Sequence, residues 1–400
     1  MGNTEIAVAL DQQVLKELVQ HIQNNTTDQA ESNLIVPTSH FTSPERLAAE
    51  IRLLKSKPVI VGHVSDIPDP GSFFTREFLG IPLLVVRQQN GSVAVFRNMC
   101  RHRGGRVEDA PSGKRQLFMC QYHGWSYAAE SGELKAVPYE QTAGKIDKSC
   151  MGLLSFPCEV RHGLIFATLS GDRQAPIADF LGSDIDRQIA PWQLEQSSIL
   201  IDETVTLDVN WKLVLDGTVD SLHAQFLHPK PGGVGSRSIN HCAVFREYRN
   251  HGKMFMARKK LRTVIEDQGP EMASSKYVGT VMMIYPNNVF VEAPEHVELW
   301  SVWPCIDNPA KCTVRFRFLV RDELRTPELE ARVHKSWDIL RHAGMEEDFP
   351  MEESIQVSAR AWPEGTFMYG RNEKPAQHLH RQLHMDIDAG KVGADTITFE

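Results

Sequence analysis

The sequence predicts an α+β protein: a helical N-terminal segment, a central all-β unit, and a C-terminal domain mixing strands with separate helices. Three observations carry this. Residues 1–56 show apolar residues at helical spacing, as in Glu5 to Gln23. From Pro58 to about Ser170 the runs shorten to PVIVGHV, PLLVVRQ, SVAVFRN, LFMCQ and LIFATL, punctuated by Gly, Pro, Asn and Asp. From Pro176 onward, strand-like runs (Ser198 to Leu207, Tyr277 to Ile284, Val289 to Glu292, Leu299 to Trp303, Cys312 to Val320) alternate with helical ones (Trp211 to Leu227, Pro327 to Gly344, Met351 to Ala359). The expected boundaries are 1–56, 57–172 and 173–400.

Within the first segment, Ser43-Pro44 is a helix start: serine caps, and proline suits the first helical position. A net charge of -8 supplies no dominant basic surface, which argues against a nucleic-acid partner. No stretch approaches the roughly 20 apolar residues that cross a bilayer. Met1 to Ala30 lacks a basic region followed by an apolar one, so no secretory signal is read, and a cytoplasmic location is the expectation. Seven cysteines in 400 residues make a poor disulfide framework, which turns attention to those near histidines.

Cys100-Arg101-His102 and Cys120-Gln121-Tyr122-His123 each place one thiolate and one imidazole in a tight turn beside a strand. Two such loops facing each other offer the donors of a Rieske-type [2Fe–2S] cluster, with two cysteines on one iron and two histidines on the other. The competing assignment is a tetrahedral zinc site, which more often uses C-x-x-C with H-x-x-x-H.

A second constellation follows at Asp220-Ser221-Leu222-His223 and His228. Two imidazoles plus one carboxylate can hold Fe(II) on one face and leave positions open. Asp220 and His223 are three apart and would share a helix face. His223 and His228 are five apart, about 140° around an ideal helix, so a helix end or a π-type irregularity is expected near Gln225. His241, His251 and His296 lack partners in the sequence and read as ordinary packed or surface residues.

Residues 98–127 (NMCRHRGGRVEDAPSGKRQLFMCQYHGWSY) resemble the Rieske domain of ring-hydroxylating oxygenases, which shows C-x-H-R-G followed by C-x-Y-H-G-W. The D-x-x-H-x-x-x-x-H string resembles the same family's iron site. The resemblance implies a helix-grip-like catalytic domain with an antiparallel sheet. It implies a [2Fe–2S] cluster on Cys100, His102, Cys120 and His123, and a mononuclear Fe(II) on His223, His228 and a carboxylate from Gly344 to Gln356. That carboxylate is Asp348 by register, with Glu347 as alternative. Asp220 would link His223 to the partner subunit's His123, which implies a head-to-tail homotrimer.

The implied activity is that of an oxygenase component. It would use O2 and electrons from NAD(P)H through a reductase, with or without a ferredoxin, to dihydroxylate, monohydroxylate or demethylate a small hydrophobic, aromatic substrate. The alternatives are a Rieske-type electron carrier and a zinc-stabilised binding protein. Leu215, Asp216 and Leu222 depart from residues common in the family, and the string LDGTVDSLHAQFLHP sits closer to its homomeric phthalate- or phenoxybenzoate-like branches. Ala224, Met282, Ile284 and Asn287 are the candidate substrate contacts.

Overall fold

A computed structural model describes residues 12–171, 175–229, 238–388 and 396–400, the side chains of 238–241 excepted. The chain divides into two units, Lys55–Phe180 and Met1–Leu54 with Leu181–Glu400.

The first unit is built of short strands. Ser155–Phe156, Val93–Arg97, Ile81–Arg87, Ser72–Phe78 and Ser112–Lys114 form a five-stranded antiparallel sheet in that order. Two three-stranded sheets complete it: Cys158–Arg161, Leu164–Ala167, Val59–His63, and Leu117–Met119, Ser126–Ala128, Leu134–Ala136. Phe73 and Phe118 meet edge to face with ring centroids 5.3 Å apart. They share a core with Leu84, Val86, Tyr127 and both Cys100 and Cys120. The cysteines of the two loops are therefore anchored in packed apolar structure.

The second unit centres on a seven-stranded antiparallel sheet ordered Ser197–Leu207, Asn308–Arg321, Val297–Cys305, Asn288–Glu292, Val278–Ile284, His251–Arg258, Ser238–Tyr248. Side chains alternate between faces. Phe245, Met254, Val281, Met283 and Val289 pack on one face with the helices Trp211–Thr218, Phe349–Ala361 and Lys374–Ile387. Val244, Phe255 and Val278 pack on the other with Val14, Leu18 and Ile22 of the Gln12–Asn24 helix. The i, i+4, i+8 spacing of those last three is the periodicity read in the sequence.

Ser43 Oγ accepts from Arg46 N at 3.0 Å and opens the Pro44–Ser56 helix, as its sequence signal predicts. The N-terminal segment is not wholly helical. Leu34–Pro37 is a strand between Thr366–Tyr369 and Thr398–Phe399. The Pro44–Ser56 helix also supplies Glu50, whose carboxylate takes Lys212 Nζ at 2.7 Å, Trp211 Nε1 at 2.7 Å and Arg46 Nε at 3.1 Å. This fully buried network fixes the helix that leads into the second histidine pair. Deleting one partner of such a pair costs about 3–5 kcal/mol because the other charge is left buried.

The continuous helix expected from Trp211 to Leu227 is broken. It ends at Thr218, whose Oγ1 donates to Leu215 O at 2.7 Å, and only a single turn, Ala224–Leu227, follows. No helix among the described residues is long and apolar enough to cross a membrane.

Candidate metal centres

The two loops of the β-rich unit fold alike although their sequences space the histidines differently. Cys100 N donates to Gly105 O (2.7 Å) and Gly104 N to Cys100 O (3.0 Å); Cys120 N donates to Trp125 O (3.0 Å) and Gly124 N to Cys120 O (2.9 Å). Gly104 and Gly124 take φ of 80° and 70°, a region that glycine enters without strain. Both cysteines are buried, and Cys120 Sγ lies 3.2 Å from where a Cβ on Gly105 would sit, so a larger residue there would crowd the sulfur. Tyr127 Oη is 3.2 Å from Cys100 Sγ and accepts Arg101 N–H at 2.9 Å. Burial, with Cys100 beside it, pushes the Cys120 thiol up.

His102 and His123 are exposed with ring centroids 4.6 Å apart, and His102 stacks on Trp125 at 5.0 Å. Arg103 Nη2 lies 2.9 Å from His123 Nε2. Sulfur thus pairs with sulfur inside and imidazole with imidazole outside. That division suits a two-iron cluster. It does not suit one tetrahedral ion, whose four ligands must converge on a point.

In the other unit, donor atoms do converge. One atom each from His223, His228 and Asp348 lies within 4.8 Å of the others, the one such group of three among the described residues. His228 Nε2 is 3.0 Å and His223 Nε2 3.5 Å from Asp348 Oδ1. The histidine rings sit 5.3 Å apart because the chain leaves helical geometry at His228 (φ −114°, ψ 57°). The helix therefore ends two residues beyond Gln225.

The π-helical turn occurs elsewhere, at Gly344–Asp348, and positions the carboxylate. Glu347, the alternative ligand by sequence, stands behind the site: its Oε2 is 2.6 Å from His228 Nδ1. Asp220 stands likewise behind His223, with Oδ2 3.1 Å from Nδ1. It does so from a turn rather than from a shared helix face, since Oδ1 accepts Leu222 N at 2.7 Å and Oδ2 accepts His223 N at 3.3 Å. Burial opposes ionisation of Asp220, but the hydrogen bonds from His223 and the backbone outweigh it and hold the carboxyl below its ordinary range. The neighbouring Glu346 is exposed.

The trio opens on a cavity of about 410 Å³ with Trp300, Phe316, Trp337 and Phe349 among its walls. Of the candidate substrate contacts only Ala224 lines it. Met282 and Ile284 are fully buried on the opposite sheet face from Val281, which does line the cavity. Asn287 is buried and tied to Val302 O through Nδ2 at 3.1 Å. Strand parity places Met282 and Ile284 away from the cavity. His251 is a packed residue accepting Tyr285 N at 3.1 Å; the side chain of His241 lies outside the described residues.

The sequence of residues 188–388 matches the ring hydroxylating alpha subunit (catalytic domain) family, and residues 57–157 match the Rieske [2Fe-2S] domain. The chain belongs to the ring-hydroxylating alpha-subunit family. The family's catalytic domain carries a mononuclear iron and its Rieske domain a [2Fe–2S] cluster, with O2 as co-substrate. Both donor sets described above fit those groups in type and number.

Among similar proteins, the glycine betaine monooxygenase oxygenase subunit of Chromohalobacter salexigens is 30% identical over 199 residues, 49% of this chain and 43% of the relative. The large oxygenase component of the 2,4-dinitrotoluene dioxygenase system of Burkholderia sp. is 34% identical over 173 residues, 42% of this chain and 38% of the relative. The chain spans roughly two fifths of the length of these curated relatives. The fold is shared with the quaternary ammonium Rieske monooxygenase CntA (TM-score 0.74, 17% identity, 94% of this chain and 99% of that one). It is shared also with naphthalene 1,2-dioxygenase from Rhodococcus sp. (TM-score 0.69, 19% identity, 95% and 98%).

Proposed function

We propose that this chain is the oxygenase component of a multicomponent Rieske oxygenase, cytoplasmic and assembled as a head-to-tail homotrimer, which oxidises a small, largely apolar, aromatic substrate. Electrons would come from NAD(P)H through a reductase, with or without a ferredoxin. The observation that carries the reading is the convergence of two imidazole Nε2 atoms and one carboxylate oxygen on the wall of a cavity lined by aromatic side chains.

In this reading His223, His228 and Asp348 hold Fe(II), and Cys100, Cys120, His102 and His123 hold the cluster. When bound, these groups supply electron storage and the reductive activation of dioxygen. The remaining work falls to the chain. Asp220 and Glu347 each accept the Nδ1 proton of one histidine, which fixes the tautomer and leaves both Nε2 lone pairs directed at one point. Three protein donors leave open positions on the cavity side for O2 beside substrate. Asp220, only half-buried, would accept from the partner subunit's His123 as well, which makes it the proposed link between subunits. The apolar wall excludes water and presents ring faces that suit a flat arene.

The relatives are named for both a betaine and a nitroarene. A single-turnover panel should therefore hold both classes: reduced protein in air with neutral arenes, aromatic carboxylates, aryl ethers and N-methyl compounds, with products read by mass spectrometry. Gain of two oxygens and two hydrogens marks dihydroxylation, and gain of one oxygen or release of formaldehyde marks monooxygenation. A colourless protein containing zinc would overturn the reading. A coloured protein that binds no Fe(II) would leave only an electron carrier.

A further inference from the structure

The cavity wall carries polar side chains beside its aromatic ones, among them His296 and Glu298. Val297–Cys305 is a strand, so Glu298 and Trp300 share a sheet face. Their cross-strand neighbours on that face are Val291 and Phe318 for Glu298, and Val289 and Phe316 for Trp300. Glu298 thereby places a carboxylate among aromatic and aliphatic side chains. It is held there: Trp300 Nε1–H donates to Glu298 Oε2 at 3.0 Å, and Oε1 lies 3.4 Å from His296 Nε2.

His296 is fixed twice over. Its ring stacks on Phe318 with centroids 4.5 Å apart and planes 18° from parallel, and the carboxylate sets its rotation. It lines the cavity, yet only 1% of its surface is exposed. Its second nitrogen, Nδ1, is buried without a hydrogen-bond partner. Buried polar atoms are nearly always paired, and an orphan in an ordered ring marks a place that a ligand or a water completes. One ring face lies on Phe318 and Nε2 is turned to Glu298, which leaves Nδ1 as the unsatisfied atom of a ring that lines the cavity.

We propose that His296, oriented by Glu298, is a specificity-determining residue whose Nδ1 hydrogen-bonds a hydroxyl group carried by the substrate. The cavity then selects hydroxylated apolar skeletons over plain hydrocarbons. This rests on the oxygenase reading only in taking the cavity as the substrate site. A hydroxyl fits because it donates and accepts, is small, and is neutral. Placed beside His296, a carboxylate would meet the Glu298 carboxylate that holds the ring. A quaternary ammonium has no donor to offer Nδ1. A site built to bond a hydroxyl also penalises the analogue lacking it, because its own polar atom stays unpaired.

The test uses matched probes, indan with 2-indanol and biphenyl with 4-hydroxybiphenyl, and equilibrium dialysis against the iron-loaded protein, so that binding is read without turnover. The hydroxylated member of each pair should bind roughly ten- to a hundredfold more tightly. His296→Phe keeps the stacking ring and should close the gap by weakening only the hydroxylated member. Glu298→Gln should narrow it. Visible absorption and melting temperature report whether each variant folds. Equal affinity within the pairs, no binding of either member, or a gap that survives in His296→Phe overturns the proposal. Equal affinity with turnover intact sinks hydroxyl selection alone, whereas absence of iron and turnover sinks the oxygenase reading.

Discussion

Glu347 separates a ligand from a ligand's support, and its substitution has a calculable effect. In the structure it is not one of the three converging donors; its Oε2 sits 2.6 Å from His228 Nδ1, on the far side of the ring from Asp348. Losing such a carboxylate typically weakens metal binding 10- to 100-fold, about 1.4–2.7 kcal/mol. Glu347→Gln keeps an acceptor oxygen and should lie near the lower end, Glu347→Ala near the upper. The pH dependence has a definite sign. Burial opposes protonation of His228, but hydrogen bonds to Asp348 and Glu347 outweigh it and raise its pKa above the ordinary 6.5. Iron needs the neutral ring, so wild-type affinity should begin to fall at a higher pH than an ordinary histidine would give, and Glu347→Gln should move that fall to lower pH. Anaerobic competition of Fe(II) against a chelator, from pH 6 to 8.5, measures both effects. Glu346→Gln, one residue away and exposed, should change neither. Unaltered iron affinity in a folded Glu347→Ala would refute the support role. Complete loss of iron in Glu347→Gln, matching Asp348→Asn, would place Glu347 in the ligand set.

Asp220→Asn should leave the cluster's colour intact and lower iron affinity about tenfold, while turnover falls by about two orders of magnitude, because the same carboxylate would serve both the orientation of His223 and the link to the partner subunit; metal content beside single-turnover yield measures this. Asn210→Ala removes the cap on Lys212 N (3.0 Å) and strips donors from Pro309 O (2.7 Å) and Phe41 O (3.3 Å), so urea unfolding should show a loss of about 2–3 kcal/mol. Gly217→Ala would put a Cβ 2.3 Å from the buried Glu352 Oε1, and a destabilisation of about 1–3 kcal/mol is expected in the same assay. Glu373 is pushed up to about 7 by burial and by the nearby Asp220 and Asp216, against an opposing hydrogen bond from Gly370 N. Its folded pKa exceeds the unfolded one, so the stability present below pH 4.5 is lost as pH rises through about 7. Glu373→Gln should flatten that decline and stabilise the protein at pH 8 by about 1–2 kcal/mol after allowance for solvent screening.

Local chemistry was legible where a local rule decides it. Ser43-Pro44 starts a helix because capping involves neighbours, and β-branched runs between Gly and Asn form strands for the same reason. Long-range pairing was not. Leu34–Pro37 is a strand only because Thr366–Tyr369 and Thr398–Phe399 flank it, more than 300 residues away in sequence. The hairpin of Ser238–Tyr248 and His251–Arg258 escapes a hydropathy reading because it carries charged residues inward: Lys253 is fully buried and paired with Glu292 at 2.5 Å. The substrate contacts failed on parity, since apolar character marks both faces of a covered sheet alike.

The second histidine pair shows why motif spacing and geometry must be weighed separately. On one continuous helix His223 and His228 would diverge by about 140°. The chain avoids this by leaving helical geometry at His228 after the single turn Ala224–Leu227, the preceding helix having already ended at Thr218 and the chain having turned through Val219 to His223. A break of this kind strands backbone N–H groups, and Asp220 accepts two of them, from Leu222 and His223. The same side chain then reaches His223 Nδ1. Capping and orientation of the His223 ring are thus one interaction, which binds the location of the aspartate to that of the break. On the opposite element a π turn at Gly344–Asp348 shifts the register of an acidic run, so that Asp348 faces the histidines and Glu347 backs one of them. Both irregularities lie where an ideal helix would have scattered the donors, and each places one carboxylate behind an imidazole. The regular elements supply rigidity, while the departures from regularity supply the convergence that ligation of a single ion requires.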